Sequence, residues 1–406
     1  MFKWLVSAKN LEDAYLHIVA EMEADGRSRH YRGWDGWKVA DVDLRAATLL
    51  AEIKTELESF SPLAPAVLFK IPKKSNPQKL REIYIYNLKD RIKAQAIYQI
   101  VEPHFDAYFS PYLFSYRSSH PSYFAARSAV RHYRRYWQRE SVLIGDLSDY
   151  SNYIGHEQLR AKLAKLALPE KIERLLHLFI GNEVVRAGAI VKPVEGLVQG
   201  VPLIALFNNL YLDDFDKEVG RRTDFYRRVG DDLLMFDRDQ SRLAPLWERL
   251  EREAVDLGLK INRVKTSLQR ADESFDFLGY HFASGEISLP ANFKKSLINK
   301  WRQQFSYNRA SRVIVKKYLL RQEIKRDCHN LNEQFRQLAE QKKLVSHEEQ
   351  LRQLSESFFR ILTRYFFKTY SARHRRLLGA KLKKLGLVSV YKYFLNVRYG
   401  FVKGKN

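Results

Sequence analysis

The sequence predicts an α+β chain, on three observations. Short apolar or alternating runs of the kind that make strands recur at Val67–Pro72, Glu82–Tyr86, Ser141–Leu147 and Phe225–Phe236. Stretches with apolar residues at helical spacing separate them. From Asn292 onward the chain reads as helices divided by short polar breaks, with no strong strand before an aromatic tail. Two domains are therefore expected, residues 1–290 and residues 291–406.

Residues 1–60 read mainly as helix, since Leu44, Ala47, Leu50, Ile53 and Leu57 share one helical face. Two prolines within Ser61–Pro65 end that pattern. The strands Val67–Pro72 and Glu82–Tyr86 flank KKSNPQK, whose Ser, Asn and Pro supply turn chemistry, so a basic hairpin loop is expected. Asp90–Val101 carries a helical apolar stripe. Ser141–Leu147 is a short apolar run with an acid near its end, expected as a buried strand. His156–Leu166, Glu170–Phe179 and Leu203–Glu218 are expected as helices, the last followed by a turn at Arg221–Asp224. Phe225–Phe236 alternates in polarity around Gly230-Asp231-Asp232, as a β-hairpin does, and Leu243–Leu257 is helical again.

Composition narrows the partners. The chain has 406 residues, 45% of them hydrophobic and 13% aromatic, which describes a folded protein and not a disordered arm. Its 70 Lys+Arg exceed its 47 Asp+Glu by 23. Residues 291–406 hold 28 of those cations and 7 of the acids, a net of +21, whereas the first 290 residues hold 42 and 40. A solvated helical surface can be rich in lysine and arginine. A like-charged domain repels itself, however, and so large an excess points to a polyanionic partner such as nucleic acid. The one cysteine, Cys328, excludes an internal disulfide framework and a zinc site built on paired cysteines. No apolar window suits a membrane span and the opening MFKWLVSAKNLEDAY lacks a signal-peptide core, so a cytoplasmic protein without membrane contact is expected.

Three acids carry the chemistry: Asp146 at the end of its apolar strand, and Asp231 and Asp232 in the hairpin turn. Carboxylates at strand ends can converge and hold divalent cations for in-line phosphoryl transfer. A Gly-Asp-Asp turn alone is equally explained by turn geometry.

The surrounding motifs resemble, in order and spacing, those of bacterial reverse transcriptases of the group II intron lineage. IPKK (Ile71–Lys74), LREIYI (Leu80–Ile85) and DRIKAQAI (Asp90–Ile97) look like the fingers hairpin and its helix. EPHFDAYFSPYLFSYR (Glu102–Arg117) and GDLSDYSNYIGHEQL (Gly145–Leu159) resemble the next two family motifs. GLVQGVPLIALFNNLYLDDFD (Gly196–Asp216), YRRVGDD (Tyr226–Asp232), GLKINRVKT (Gly258–Thr266) and FDFLGY (Phe275–Tyr280) complete the series. The resemblance implies a right hand, with fingers and an antiparallel-sheet palm in residues 1–290 and a helical thumb with a basic extension in 291–406. It also implies RNA-directed DNA synthesis from deoxynucleoside triphosphates.

Site residues follow from the same resemblance. Asp146, Asp231 and Asp232, with the Leu147 carbonyl, are expected to hold two Mg²⁺ ions, for which Mn²⁺ can substitute. Lys79 and Arg81 are expected near the incoming triphosphate, Arg81 as the better phosphate partner; Lys79 could equally be an inert surface lysine. Gln199 and Gly200 are expected to pack against template base and nucleotide, and Lys265 to protonate the departing pyrophosphate, unless it is merely solvated. Phe275–Tyr280 would form a primer-grip hairpin, with Phe277 and Leu278 serving core packing. Arg117, Arg375, Arg376, Lys381, Lys383 and Lys384 are the expected nucleic-acid contacts.

Two departures and several absences place the chain within the family. The sugar-discriminating aromatic expected five residues after Asp146 is Ser151, with Tyr150 and Tyr153 beside it. The usual Tyr-Ala before the acidic pair is Val229-Gly230. Asn-Ala-x-x-His and Val-Thr-Gly elements of retron enzymes are absent, as is the Ser-Gln of diversity-generating enzymes at Gln199-Gly200. Paired endonuclease cysteines are absent too. The remaining class is the defence-associated, antiphage reverse transcriptases, which implies a structured non-coding RNA template, a DNA product, and a partner protein or second copy of the chain. The alternatives are an intron-type maturase that binds RNA for splicing, and a template-independent or protein-primed polymerase using Tyr391, Tyr393 or Tyr399.

Overall fold

The computed structural model describes residues 1–24, 39–73, 76–148, 150–263, 265–305 and 322–399. The chain divides into two compact units, Met1–Ala125 with Ser141–Gln269, and Ala126–Glu140 with Arg270–Asn406.

In the first unit, helices α1 (Phe2–Leu5), α2 (Ala8–Ala24) and α3 (Val39–Glu58) precede strands β1 (Ala66–Lys73) and β2 (Asn76–Ile85). Helix α4 (Leu88–Tyr108) starts at Asn87, whose side chain accepts from the Asp90 amide at 2.7 Å. Its buried Lys93 is paired with both Asp90 and Glu56, which ties α4 to α3. The antiparallel ladder of β1 and β2 reaches Lys73↔Asn76 across a register shift, so most of the expected KKSNPQK loop is strand. A hairpin ladder can extend through polar residues when both faces remain wet.

Helix α5 (Ser122–Tyr136) leads to β3 (Ser141–Ser148), followed by α6 (His156–Ala164) and α7 (Glu170–Ile180). The short strands β4 (Val184–Arg186) and β5 (Ala189–Val191) come next. They turn at Ala187 and Gly188, both with positive φ, the geometry of a two-residue hairpin that the sequence reading missed. Strand β4 pairs parallel with β1, giving the sheet β2-β1-β4-β5.

The segment expected as one helix over Leu203–Glu218 is two, α8 (Pro202–Tyr211) and α9 (Asp213–Arg222). Leu212 leaves the helical region, and Asp213, Asp214 and Asp216 then supply the acidic first turn that a new helix favours. Strands β6 (Phe225–Val229) and β7 (Asp232–Asp237) form the expected hairpin, followed by α10 (Gln240–Asp256), β8 (Lys260–Ile261) and β9 (Ser267–Arg270). The second sheet runs β6-β7-β3-β8, with β9 also on β3. Leu233, Leu234, Met235 and Phe236 of β7 are at most 1% exposed, so this central strand is apolar on both faces. Each such side chain contributes about 1.5–3 kcal/mol by burial, which anchors the acidic end of β7 against β3.

In the second unit, β10 (Phe275–Phe277), β11 (Tyr280–Ala283) and β12 (Glu286–Ser288) form an antiparallel meander. Tyr133 of α5 is fully buried and stands edge-on to Phe275 and Phe282, whose rings stack at 4.7 Å. This contact explains why the end of α5 belongs to the second unit. Helices α11 (Ala291–Gln304), α12 (Gln322–Gln341), α13 (Glu348–Phe367), α14 (Ala372–Lys384) and α15 (Val390–Tyr399) follow. Trp301, Phe335 and Phe358 form their aromatic centre, with ring centroids 5.0 Å and 4.8 Å from Phe358. Among the described residues, no helix is long and apolar enough to cross a membrane.

Candidate active site

The three acids meet where β3 and β7 pair. Asp146 lies directly opposite Asp232 in the antiparallel register, so the two side chains share one face of the sheet. Asp231 occupies the turn between β6 and β7, and its carbonyl accepts from the Leu147 amide at 3.1 Å. Gly230, before it, has a φ of 65°, and a Cβ there would meet nothing within 4 Å. The turn therefore needs glycine for its backbone rotation and leaves open space at the carboxylates.

Asp146 is 4% exposed. The Lys265 ammonium donates to its Oδ2 at 2.6 Å, and the Asn262 amide donates to its carbonyl at 2.9 Å. The Asp146 amide in turn donates to the Thr266 hydroxyl at 3.4 Å. The segment after β8 is thus fastened to the acidic end of β3. Burial, with the neighbouring charges of Asp231 and Asp146, pushes the Asp232 carboxyl up to about 6. Hydrogen bonding to Asp146 raises the Lys265 ammonium above its ordinary range.

These residues suit a divalent cation by donor chemistry. Hard carboxylate oxygens match Mg²⁺ or Mn²⁺, and their mutual repulsion is offset at Asp146 by one lysine ammonium. Among the described residues no group of three or more His, Cys, Asp and Glu is gathered into a closed ligand set. Asp146 and Asp232 share a face, without the three acids being drawn together around one point.

Beside them opens a cavity of about 740 Å³, lined in part by Tyr84, Tyr116, Tyr150, Ser151, Gln199, Gly200 and Asp231. Four expected nucleotide-site residues therefore face the same space as a candidate metal ligand. Gly200 has a φ of 135°, and a Cβ there would lie 2.6 Å from the Tyr84 carbonyl oxygen. The Tyr86 hydroxyl donates to the Val198 carbonyl at 2.8 Å, which holds the Gln-Gly turn against β2. Both Tyr150 and Ser151 are buried, and burial raises the Tyr150 hydroxyl well above its usual range. The most exposed aromatic lining the cavity is Tyr116, at 63% with a φ of 53°. Its neighbours are pinned, Ser115 by Asn209 and Arg117 by Asp106. Sequence reasoning placed Tyr116 in the Ser115-Tyr116-Arg117 stretch without a role.

Other expected residues sit elsewhere. Arg117 is buried, and its guanidinium donates to Asp106 and to the carbonyls of Ser110 and Leu113, so it serves the fold rather than a nucleic-acid surface. Lys79 and Arg81 lie on β2, and their side chains are outside the described ones. In the second unit, Arg375 is half-buried and paired with Glu356. Arg376, Lys383 and Lys384 are exposed on α14, together with Arg373 on the same helical face; Lys381 is half-buried. The Tyr391 hydroxyl lies between Glu348 and Arg352.

Known proteins resemble this chain. A profile of the family described as reverse transcriptase (RNA-dependent DNA polymerase) matches residues 71–282, more than half of the chain. Protein YkfC of Escherichia coli (strain K12) is 26% identical over 305 residues, covering 66% of this chain and 79% of that protein. The apo telomerase of Candida tropicalis is similar in structure, with a TM-score of 0.50 and 12% identity over 84% of this chain and 67% of that one. Telomerase from Candida albicans, solved with a fragment of telomeric RNA, gives a TM-score of 0.46 and 13% identity over 85% and 67%.

Proposed function

We propose, from the premise that this chain belongs to the reverse transcriptase family and is an RNA-directed DNA polymerase, that it copies a structured non-coding RNA into DNA as part of antiphage defence. The observation that carries the polymerase reading is the pairing of Asp146 with Asp232 next to Asp231, which itself lines the cavity with Tyr150, Ser151, Gln199 and Gly200. The defence reading is supported by the absence of the retron and diversity-generating motifs and of paired endonuclease cysteines.

Asp146, Asp231 and Asp232, with the Leu147 carbonyl, would hold two Mg²⁺ ions. When bound, such ions neutralise the triphosphate and activate the primer hydroxyl for in-line attack on the α-phosphorus. The chain's own residues do the rest. The Gln199-Gly200 turn, close against β2 because residue 200 has no Cβ, forms a wall for the nascent pair. Tyr116 presents a ring to the cavity from an anchored backbone, where it limits how the nucleotide lies. The Lys265 ammonium stands beside Asp146, placed to donate a proton to pyrophosphate as that leaves. Residues 291–406 serve as thumb and basic extension, with α14 presenting cations to RNA phosphates.

Two assays test this. Purified protein should extend a DNA primer on an RNA template with Mg²⁺, and Asp231→Ala/Asp232→Ala protein should not. Cells carrying the gene with its flanking RNA should resist phage plating, and the double substitution should restore plaques. Synthesis without protection would remove the defence role and leave the polymerase.

A further inference from the structure

Beneath the turn that carries Asp231 lies an ion pair removed from water. Arg228 of β6 and Asp216 of α9 are both 0% exposed, and Arg228 is the largest of the fully buried side chains. Its Nε donates to Asp216 Oδ1 at 2.8 Å and one terminal nitrogen donates to Oδ2 at 2.6 Å, a two-pronged match of fork to carboxylate. The Tyr226 hydroxyl gives Asp216 a third donor at 2.7 Å. The other terminal nitrogen of Arg228 donates to the Gly230 carbonyl at 3.1 Å.

A buried pair of this kind adds little net stability, because desolvation offsets most of the attraction and apolar residues of similar volume do as well or better. Packing alone therefore does not account for a guanidinium here. What no apolar side chain can supply is the fourth contact, a donor aimed at Gly230. That residue has no side chain, and a Cβ placed on it would touch nothing, so side-chain packing cannot hold its peptide in place. The turn is held on one side by the Leu147 amide, which bonds the Asp231 carbonyl, and from beneath by Arg228.

We propose that Arg228 is a positioning residue for polymerisation: oriented by Asp216 and Tyr226, it fixes the Gly230 carbonyl and so sets where Asp231 and Asp232 stand relative to Asp146. This rests on the reading of those three acids as the reacting site. Lysine cannot replace it, because one ammonium on a flexible stem does not span a carboxylate and a carbonyl in fixed directions. Second-layer groups that orient ligands typically change activity or metal affinity about 10–100-fold when removed.

The test compares Arg228→Lys and Arg228→Met/Asp216→Leu with wild type. It measures melting temperature, kcat and KM for one nucleotide, and Mn²⁺ binding by electron paramagnetic resonance. The double variant should melt within a few degrees of wild type, since both charges leave together. Its kcat should fall about 10–100-fold with KM for nucleotide within twofold, and Mn²⁺ binding should weaken alongside. Arg228→Lys should show the same kcat loss, and it carries the test if the double variant fails to fold. A kcat within twofold of wild type in either folded variant overturns the proposal, as does a loss no larger than the loss of folded protein. Asp231→Ala/Asp232→Ala protein is measured in parallel. If that protein stays active, the reading of the acids fails, whereas an inactive acid variant beside active Arg228 variants removes only the positioning role.

Discussion

Asp232 and Asp216 are carboxylates in the same unit, and they live by opposite rules. Asp216 is buried among donors that match its oxygens: a forked guanidinium and a tyrosine hydroxyl. Asp232 faces two more acids, and its carboxyl is pushed up to about 6 by burial and by their charges. A group whose needs are met inside the fold belongs to the scaffold. One left at odds with its neighbours marks a candidate functional site. The same division runs through the cations of α14, where Arg375 is paired with Glu356 while Arg373, Arg376, Lys383 and Lys384 have no ion-pair partner among the described residues.

The largest effect should come from the acids that Asp232 faces. Asp146→Asn keeps the shape and the backbone bonds to Asn262 and Thr266, yet should lower nucleotide incorporation about 1,000-fold or more. Its melting temperature should not fall, and a protein that loses stability in step with activity would erase the contrast. The satisfied side should behave in the reverse way. Asp216→Asn leaves Arg228 buried without its counter-charge and should cost about 3–5 kcal/mol of stability, read as a lowered denaturant midpoint.

Gly200→Ala probes the wall of the cavity. The added methyl would meet the Tyr84 carbonyl at 2.6 Å in a backbone conformation unfavourable to alanine, so we expect a loss of about 1–3 kcal/mol and a raised KM for nucleotide. The smallest effects concern α14. Reversing Arg376, Lys383 and Lys384 to Glu should reduce the slope of log RNA affinity against log salt by about 0.7–0.9 for each phosphate left without its cation. Arg375→Ala should leave that slope unchanged, because its charge is already answered by Glu356. Equal changes in both variants would mean that pairing does not sort these cations.

The sequence was informative where chemistry and local periodicity coincide. Asp146, Asp231 and Asp232 were legible because an acid ending an apolar strand and a Gly-Asp-Asp turn are local patterns, and neighbouring strands then set Asp146 opposite Asp232. Gly200 was legible from its motif, and its close approach to Tyr84 supplies the physical reason. Arg228 was not legible as a functional residue, since its meaning depends on Asp216, which only the packing of α9 under β6 brings near. Arg117 looked like an exposed cation because sequence does not reveal that Asp106 and two carbonyls surround its guanidinium. The hairpin of β4 and β5 escaped because three-residue strands are too short to show alternation. The break at Leu212 was hidden by apolar periodicity that continues across it.

One claim is central, that the acids of β3 and of the β6–β7 turn form the reacting site of an RNA-directed DNA polymerase. Its most direct test is single-nucleotide extension of a primer on an RNA template by folded Asp231→Ala/Asp232→Ala protein, with Mg²⁺ and again with Mn²⁺. The expected result is no extension with either ion while the melting temperature holds at or above that of wild type. Extension at the wild-type rate by that folded protein would contradict the claim.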